Sequence, residues 1–429
     1  MNEYDTNRIY DLAKTVGYEK TNFLESSDCY ILNTCHIREK ATEKVYHDVG
    51  RIKKRFRDKK KPILLVAGCV AQAEGEEMIK RENYIDGVIG PQAYHEIPKI
   101  IKKIEASKKK IVFTDFDVVE KFDKLNQLKN NNSKTSAFLT IQEGCDKFCH
   151  FCVVPYTRGP EYSRSIDEIF LEAKQLENNG AKEITLLGQN VNAYLYEGKR
   201  LSDLIYLLNK LNGIERIRYT TSHPKDVTQD LIDAYTHCNK LMPLLHLPVQ
   251  SGSSKILKSM NRKHNIQEYF DTLEKLREAR EEIKFSSDFI IGYPGENDDD
   301  FNDSVSLMKK VNFINSYSYL FSVRPGTPSA KLDLVDNNLA KHRLEIFQNI
   351  SNEIKQKYRK TLVNKNVAVL FENKLKNQDK YFGRDEHLNS VVVDSKIDLT
   401  GNIFKVKILD FNHNTLFGKI DGGKKDVAA

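Results

Sequence analysis

Between Glu143 and Cys152 the chain reads Glu-Gly-Cys-Asp-Lys-Phe-Cys-His-Phe-Cys, crowding Cys145, Cys149 and Cys152 into eight residues. This CxxxCxxC run constrains the fold more than any other feature, because a scaffold must present three thiols on one short loop. A structural zinc site calls for four ligands, usually as two close pairs, and no Cys or His pair follows soon after. Three soft thiolates on one loop instead suit a cubane iron–sulfur cluster held at three corners, with its fourth iron open to a small molecule. Dense clustering among polar neighbours is also unlike the packing of buried or disulfide-bonded cysteines.

The spacing, with the aromatic Phe151 just before the last cysteine, resembles the signature of radical S-adenosylmethionine enzymes. The resemblance implies that the open iron chelates the amino and carboxylate groups of S-adenosylmethionine. Reduction then cleaves the sulfonium to a 5′-deoxyadenosyl radical, chemistry that belongs to the cofactor while the protein positions it.

A chain of 429 residues has room for two to three domains and a sizeable core. No apolar run approaches the ~18 residues of a membrane span, and the N-terminus has no basic-then-apolar signal. Seven cysteines, an odd number dominated by one cluster, fit a reducing compartment, so the cytoplasm is expected. Of the net charge of +7, much sits in Arg51–Lys61 and Lys99–Lys110. Such runs attract polyanions, but a solvated helix face ending in cations reads the same way.

The hydrophobic pattern gives an α/β fold class with three parts. Residues 1–107 alternate helix and strand: helix Asn2–Val16, strand Cys29–Asn33, helix His36–Arg57, strand Ile63–Ala67, helix Ala73–Arg81, strand Gly87–Ile89, helix Tyr94–Ile104. This predicts a parallel sheet, in which ligands gather at the carboxyl ends of strands. Cys35 and Cys69 each follow such an end, so their thiolates are expected to converge. Polar residues 121–134 read as a linker. A second alternation over 131–362 has candidate strands at 137–141, 183–187, 217–221, 244–249, 285–291 and 316–321, and one helix with a Ser165-x-x-Glu168 capping box. Six βα units predict a partial (βα)6 barrel with catalytic loops at its C-terminal face. A long helix, Leu339–Leu362, leads to five short strands over 363–427, a small β-barrel of a kind that binds RNA or serves as an interface appendage.

Taken with its longer motifs, the chain resembles the methylthiotransferases, a radical S-adenosylmethionine subgroup built from an N-terminal α/β domain, a partial barrel and a C-terminal TRAM domain. The motifs are Leu32-Asn33-Thr34-Cys35 followed by Ile37-Arg38-Glu39, Val153-Val154-Pro155-Tyr156-Thr157-Arg158-Gly159, Leu187-Gly188-Gln189-Asn190, and His246-Leu247-Pro248-Val249-Gln250-Ser251-Gly252. They are most similar to members acting on N(6)-isopentenyladenosine next to the tRNA anticodon. The resemblance implies two [4Fe-4S] clusters: Cys145, Cys149 and Cys152 hold the radical-generating one. Cys35 and Cys69 match two of three ligands of the auxiliary cluster that carries the sulfur. It assigns Phe151, Gly188, Gln189, Asn190, Ser222, Gln250 and Ser287 to cofactor binding, with Gly188, Gly252 and Gly292 letting backbone approach a ligand. Arg384 and Asn389 fall in the RNA-binding repeat. The implied partners are the tRNA anticodon stem-loop and an electron donor such as a flavodoxin or ferredoxin, with the enzyme a monomer.

In that family the third auxiliary ligand lies in a Gly-Cys-Gln triplet just before a Met-Asn-Glu-Tyr-Asp motif, and here Met1 opens that motif. The expectation is a missing preceding segment carrying both that ligand and a first strand. Cys29 reads as a core residue, Cys238 as a helix-end cysteine and His36 as structural. Three other activities remain open. Two are methylthiolation of a ribosomal-protein aspartate and of threonylcarbamoyl-adenosine, both disfavoured by Ile37-Arg38-Glu39. The third is a non-catalytic RNA-binding iron–sulfur protein.

Overall fold

The computed structural model describes residues 1–35, 39–115, 121, 122, 124, 125 and 134–421. The chain divides into two compact units, Met1–Asn131 with Thr140–Arg164 and Ser322–Lys331, and Asn132–Leu139 with Ser165–Phe321 and Leu332–Ala429.

The first unit is a parallel sheet between two helical layers. Its helices and strands run α1 (Asn2–Lys14), β1 (Cys29–Thr34), α2 (Glu39–Arg55), β2 (Ile63–Gly68), α3 (Cys69–Glu74), α4 (Glu76–Arg81), β3 (Gly87–Ile89), α5 (Ile97–Ser107) and β4 (Ile111–Phe113). The strand order is β1-β2-β3-β4, all parallel. Alternation along β2 sorts the core: Leu65 and Ala67 face α1 and α5, whereas Leu64 and Val66 face α2, α3 and α4.

Three local differences separate this unit from its sequence reading. The helix expected over Ala73–Arg81 is two short ones, because Gly75, at φ +52°, breaks it. A fourth strand, β4, lies beyond residue 107, too short to show an alternation of its own. Lys121 and Phe122 are not linker: both are helical and fully buried, and Leu125 is buried too. Their burial follows from partners distant in sequence, Glu143 for Lys121 and the Tyr162 ring, stacked at 5.8 Å, for Phe122. Within 121–134, residues 123 and 126–133, together with His36 and the Ile37-Arg38 pair, lie outside the described residues.

In the second unit, strands β5 (Ser136–Thr140), β6 (Glu183–Leu187) and β7 (Arg216–Tyr219) form one sheet. Strands β8 (Leu244–His246), β9 (Lys284–Ile291) and β10 (Asn315–Leu320) form another. A parallel bridge, Ile217 to Leu241, leads from the first sheet toward the second. This is the expected open barrel. The helix after Ser165 begins where the capping box places it, yet the Ser165 side chain makes no cap bond.

A 26-residue helix, Asn337–Leu362, capped by Asp336, packs on β10 and leads to a closed five-stranded barrel. Its strands are β11 (Asn366–Lys374), β12 (Lys380–Arg384), β13 (Ser390–Asp394), β14 (Ile403–Phe411) and β15 (Thr415–Ile420), ordered β11-β12-β13-β15-β14. Two arginines of β7 dock it. Arg216 donates to the carbonyls of Arg384 and Ala368, both at 2.9 Å, and Arg218 to those of Glu386 (2.8 Å) and Asp385 (3.1 Å). Arg218 also pairs with buried Glu183 at 2.8 Å. Residues two apart on a strand share a face, which is why both arginines reach the same barrel.

Candidate active site

Parallel pairing of β1 with β2 sets Thr34 opposite Gly68. Cys35 and Cys69 immediately follow these two residues, so the structure brings both to the same carboxyl end of the sheet. Gly68 makes this possible: at φ +98°, a Cβ there would lie 2.3 Å from the Thr34 carbonyl oxygen. Cys29 does not join them, standing a strand length away, roughly 20 Å at strand rise.

The three-cysteine loop repeats the device. Gly144, immediately before Cys145, has φ +75°, and a Cβ there would fall 1.8 Å from the Pro160 carbonyl oxygen. The loop closes by the Cys145 N–H donating to Gly159 O (3.2 Å) and the Cys152 N–H to Cys149 O (2.9 Å). Ser329 donates through both its N–H (3.1 Å) and its hydroxyl (2.8 Å) to the His150 carbonyl. Phe148 sits at φ +48°, a strained backbone for an aromatic residue of the kind that clusters at functional sites.

No disulfide links any of the seven cysteines. Burial pushes the Cys145 thiol up to about 12, so taking up a metal there displaces a proton. Among the described residues no three His, Cys, Asp or Glu side chains are gathered to hold a single metal ion. Three thiols on one braced loop fit a cubane instead, each ligating a different iron. Cys35 and Cys69 fit as two ligands of a second.

Behind these cysteines lies a buried charge network that the sequence reading did not assign. Arg158 ends a short helix, α6 (Val154–Arg158), that starts two residues after Cys152. Its Nε lies 3.3 Å from Cys69 Sγ, one terminal nitrogen 2.8 Å from Asp5 and the other 3.6 Å from Glu143. Glu143 pairs in turn with Lys121 at 2.6 Å. Burial opposes the Arg158 charge, but Cys69, Asp5 and Glu143 outweigh it and hold the guanidinium above its ordinary range. For Asp5 burial works toward protonation, yet Arg158 and Lys121 prevail and keep it ionised. One signal was legible: Asp5 and Arg8 share the buried stripe of α1 with Tyr4, Ile9 and Leu12, and charges on an apolar helix face need partners.

In the second unit Gly188, Gln189, Asn190, Ser222 and Gln250 lie beyond the carboxyl ends of barrel strands, whereas Ser287 lies within β9. Gly188 and Asn190 are buried after β6 and Gln189 is half-buried; Asn190 donates to Asp226 at 2.8 Å. Ser222, beyond β7, is buried with no hydrogen bond to its hydroxyl among the described residues. It follows Thr221, which has φ +72°, and Gln250 after β8 has φ +80°, both outside the usual range for side chains of their kind. Ser287 is different. It is fully buried, and its hydroxyl accepts from Val249 N–H (3.0 Å) and donates to Leu247 O (2.9 Å), so it shapes the loop before Gln250. Gly252 and Gly292 lie close against neighbouring helices: a Cβ would meet the Asp303 backbone at 2.4 Å or Ala340 at 2.7 Å.

Of the two RNA candidates, Arg384 is partly exposed and pairs with Glu372 at 3.0 Å. Asn389 is buried, its amide donating to Asp385 at 2.8 Å, and it organises the turn before β13. In the basic run, Arg51, Lys53, Lys59 and Lys61 pair with Asp48, Glu82, Glu25 and Asp86. That pairing favours the solvated-face reading over a dedicated polyanion site.

Comparison with known proteins matches residues 139–308 to the Radical SAM superfamily and residues 1–90 to Uncharacterized protein family UPF0004. A protein of Pelagibacter ubique (strain HTCC1062) named tRNA-2-methylthio-N(6)-dimethylallyladenosine synthase is 60% identical, over 100% of this chain and 97% of its own. Proteins of the same name from Wolbachia sp. subsp. Brugia malayi (strain TRS) and Rickettsia canadensis (strain McKiel) are 47% and 46% identical. Each alignment spans 98% of this chain and 96% or 97% of the relative. Among solved structures, the radical S-adenosylmethionine methyltransferase TsrM from Kitasatospora setae aligns with TM-score 0.54 at 12% identity, over 77% of this chain and 74% of that one. At such identity the likeness concerns the fold.

Proposed function

The chain belongs to the tRNA-2-methylthio-N(6)-dimethylallyladenosine synthase family within the radical S-adenosylmethionine enzymes, and from that membership we propose that it transfers a methylthio group to C2 of N(6)-isopentenyladenosine beside the tRNA anticodon. The full-length match at 60% identity carries this reading. The protein uses two [4Fe-4S] clusters and S-adenosylmethionine. When bound, these supply a carbon-centred radical and the sulfur that is methylated and transferred.

The chain's own residues hold, orient and shield. Cys145, Cys149 and Cys152 are the ligands of the radical-generating cluster, and Cys35 and Cys69 two ligands of the second. Gly188, Gln189, Asn190, Ser222 and Gln250 face S-adenosylmethionine at the carboxyl ends of the barrel strands. Ser287 positions Gln250 through the 247–249 backbone. Phe148 and Tyr156, each about half exposed with rings meeting edge to face at 6.3 Å, offer apolar faces to a base drawn out of its stack. Arg384 meets the RNA backbone from the small barrel. No helix among the described residues is long and apolar enough to cross a membrane. The enzyme acts as a cytoplasmic monomer, reduced by a low-potential donor such as a flavodoxin or ferredoxin.

Nucleoside mass spectrometry tests the activity. A strain lacking the native gene is complemented with this chain or with its Cys145→Ala variant, and its tRNA is digested. The chain should restore the methylthio nucleoside, and Cys145→Ala should leave N(6)-isopentenyladenosine in its place. Unmodified nucleoside in both strains would sink the reading.

A further inference from the structure

Arg158 brings the buried network into contact with a candidate cluster ligand. It follows the triplet loop by six residues in sequence, and the next residue, Gly159, accepts the N–H of Cys145. Its carbonyl is fixed by the Gln92 amide at 2.7 Å. The guanidinium meanwhile reaches Cys69 Sγ at 3.3 Å, where Nε donates. It is 6% exposed and braced by Asp5 and Glu143, so it cannot swing away to water. A charge held this firmly against a thiol has a cost, because each of its carboxylate partners is also desolvated. If stability alone were at stake, apolar residues would fill the space as well.

Reduction adds one electron to a cluster and makes it more negative. A hydrogen bond and a positive charge at a ligand sulfur stabilise that state, and such contacts are among the levers that set cluster potentials. We propose that Arg158 is a positioning residue for the sulfur-carrying cluster: its N–H bond to Cys69 raises that cluster's reduction potential and ties its ligand to the radical-generating loop. Asp5 acts in the opposite sense, its carboxylate offsetting part of the guanidinium charge. The inference rests on the reading that Cys35 and Cys69 ligate the second cluster.

The test uses the full chain carrying Cys145→Ala, Cys149→Ala and Cys152→Ala together, so that any cluster present is the second one. After anaerobic reconstitution with iron and sulfide, the cluster is titrated with dithionite and followed by electron paramagnetic resonance. In this background Arg158→Met should lower the potential, by at least tenfold in the one-electron equilibrium constant, about 59 mV. Asp5→Asn should raise it, and Arg158→Lys should recover most of the loss. Opposite shifts are what a merely structural role does not produce. If Arg158→Met fails to hold a cluster, Asp5→Asn decides: a raised potential supports the proposal. An unmoved or lowered one overturns it, as does cluster loss from both variants. Iron binding with unmoved potentials overturns this inference alone. Absence of iron from the triple variant itself overturns the cluster assignment, and the inference with it.

Discussion

The two cysteine sites are assembled in opposite ways. Cys145, Cys149 and Cys152 lie on one loop, and their proximity is a property of chain connectivity. Cys35 and Cys69 are separated by a helix and a strand, and come together only because β1 and β2 pair in parallel with Thr34 opposite Gly68. Yet both sites use the same local device, a left-handed glycine directly before a cysteine and pressed against a backbone carbonyl. What differs is whose carbonyl it is. For Gly144 it belongs to Pro160, sixteen residues on in the same returning loop, and for Gly68 to Thr34 on the partner strand. The first site depends on a turn and the second on sheet register.

That comparison can be broken by exchanging each glycine for alanine. Neither neighbour is a flexible side chain that can move aside, so the added Cβ must displace backbone. Gly144→Ala should remove the radical-generating cluster and leave the second, and Gly68→Ala should do the reverse. Reconstituted iron should fall in each case by the one cluster lost, about four per chain. Cleavage of S-adenosylmethionine should be lost only in Gly144→Ala. Equal loss of both clusters from either variant would show that the two sites fold as one.

A smaller effect is expected where buried arginine meets backbone rather than thiol. Arg218→Ala strands the Glu183 carboxylate, buried at 3% exposure, and leaves the carbonyls of Asp385 and Glu386 without their donor. Breaking such a pair costs about 3–5 kcal/mol. The urea midpoint should fall accordingly, with cluster iron unchanged. A midpoint within error of the parent would mean that the small barrel is docked by other contacts.

The smallest expected effect is an acid-sensitive one. Burial, with the Arg262 charge second, lowers His264 to about 4. The unfolded chain therefore binds this proton below about 6.5 while the folded one does not, so stability falls as pH drops from about 6.5 toward 4. Between pH 7 and 5 the contribution lost is about 2 kcal/mol, and His264→Asn should remove it. A parent and variant that lose stability in parallel over that range would refute this assignment.

Much of the fold was legible in periodicity. The six barrel strands and all five strands of the small barrel follow apolar patterns that each segment displays by itself. What periodicity did not reveal was which partner each side chain meets. Lys121 and Phe122 look like linker until Glu143 and Tyr162 are placed beside them. Asn389 looks available until Asp385 takes its amide, and Ser287 looks like a ligand until its hydroxyl is found between Leu247 and Val249. Gly252 and Gly292 signal a close approach correctly, but only the fold shows that helices are what approaches.

The sequence alone determined the chemistry of this protein, because three thiols in eight residues are near one another in any fold the chain adopts. Its long motifs carried the family by the same local logic. Tertiary structure alone decided the setting. It placed Cys35 beside Cys69 through strand register, and brought Arg158, Asp5, Glu143 and Lys121 from four separate segments into one buried network. The physical reason is that a charge is tolerated out of water only where opposite charges meet it, and which charges meet is fixed by packing, not by position along the chain.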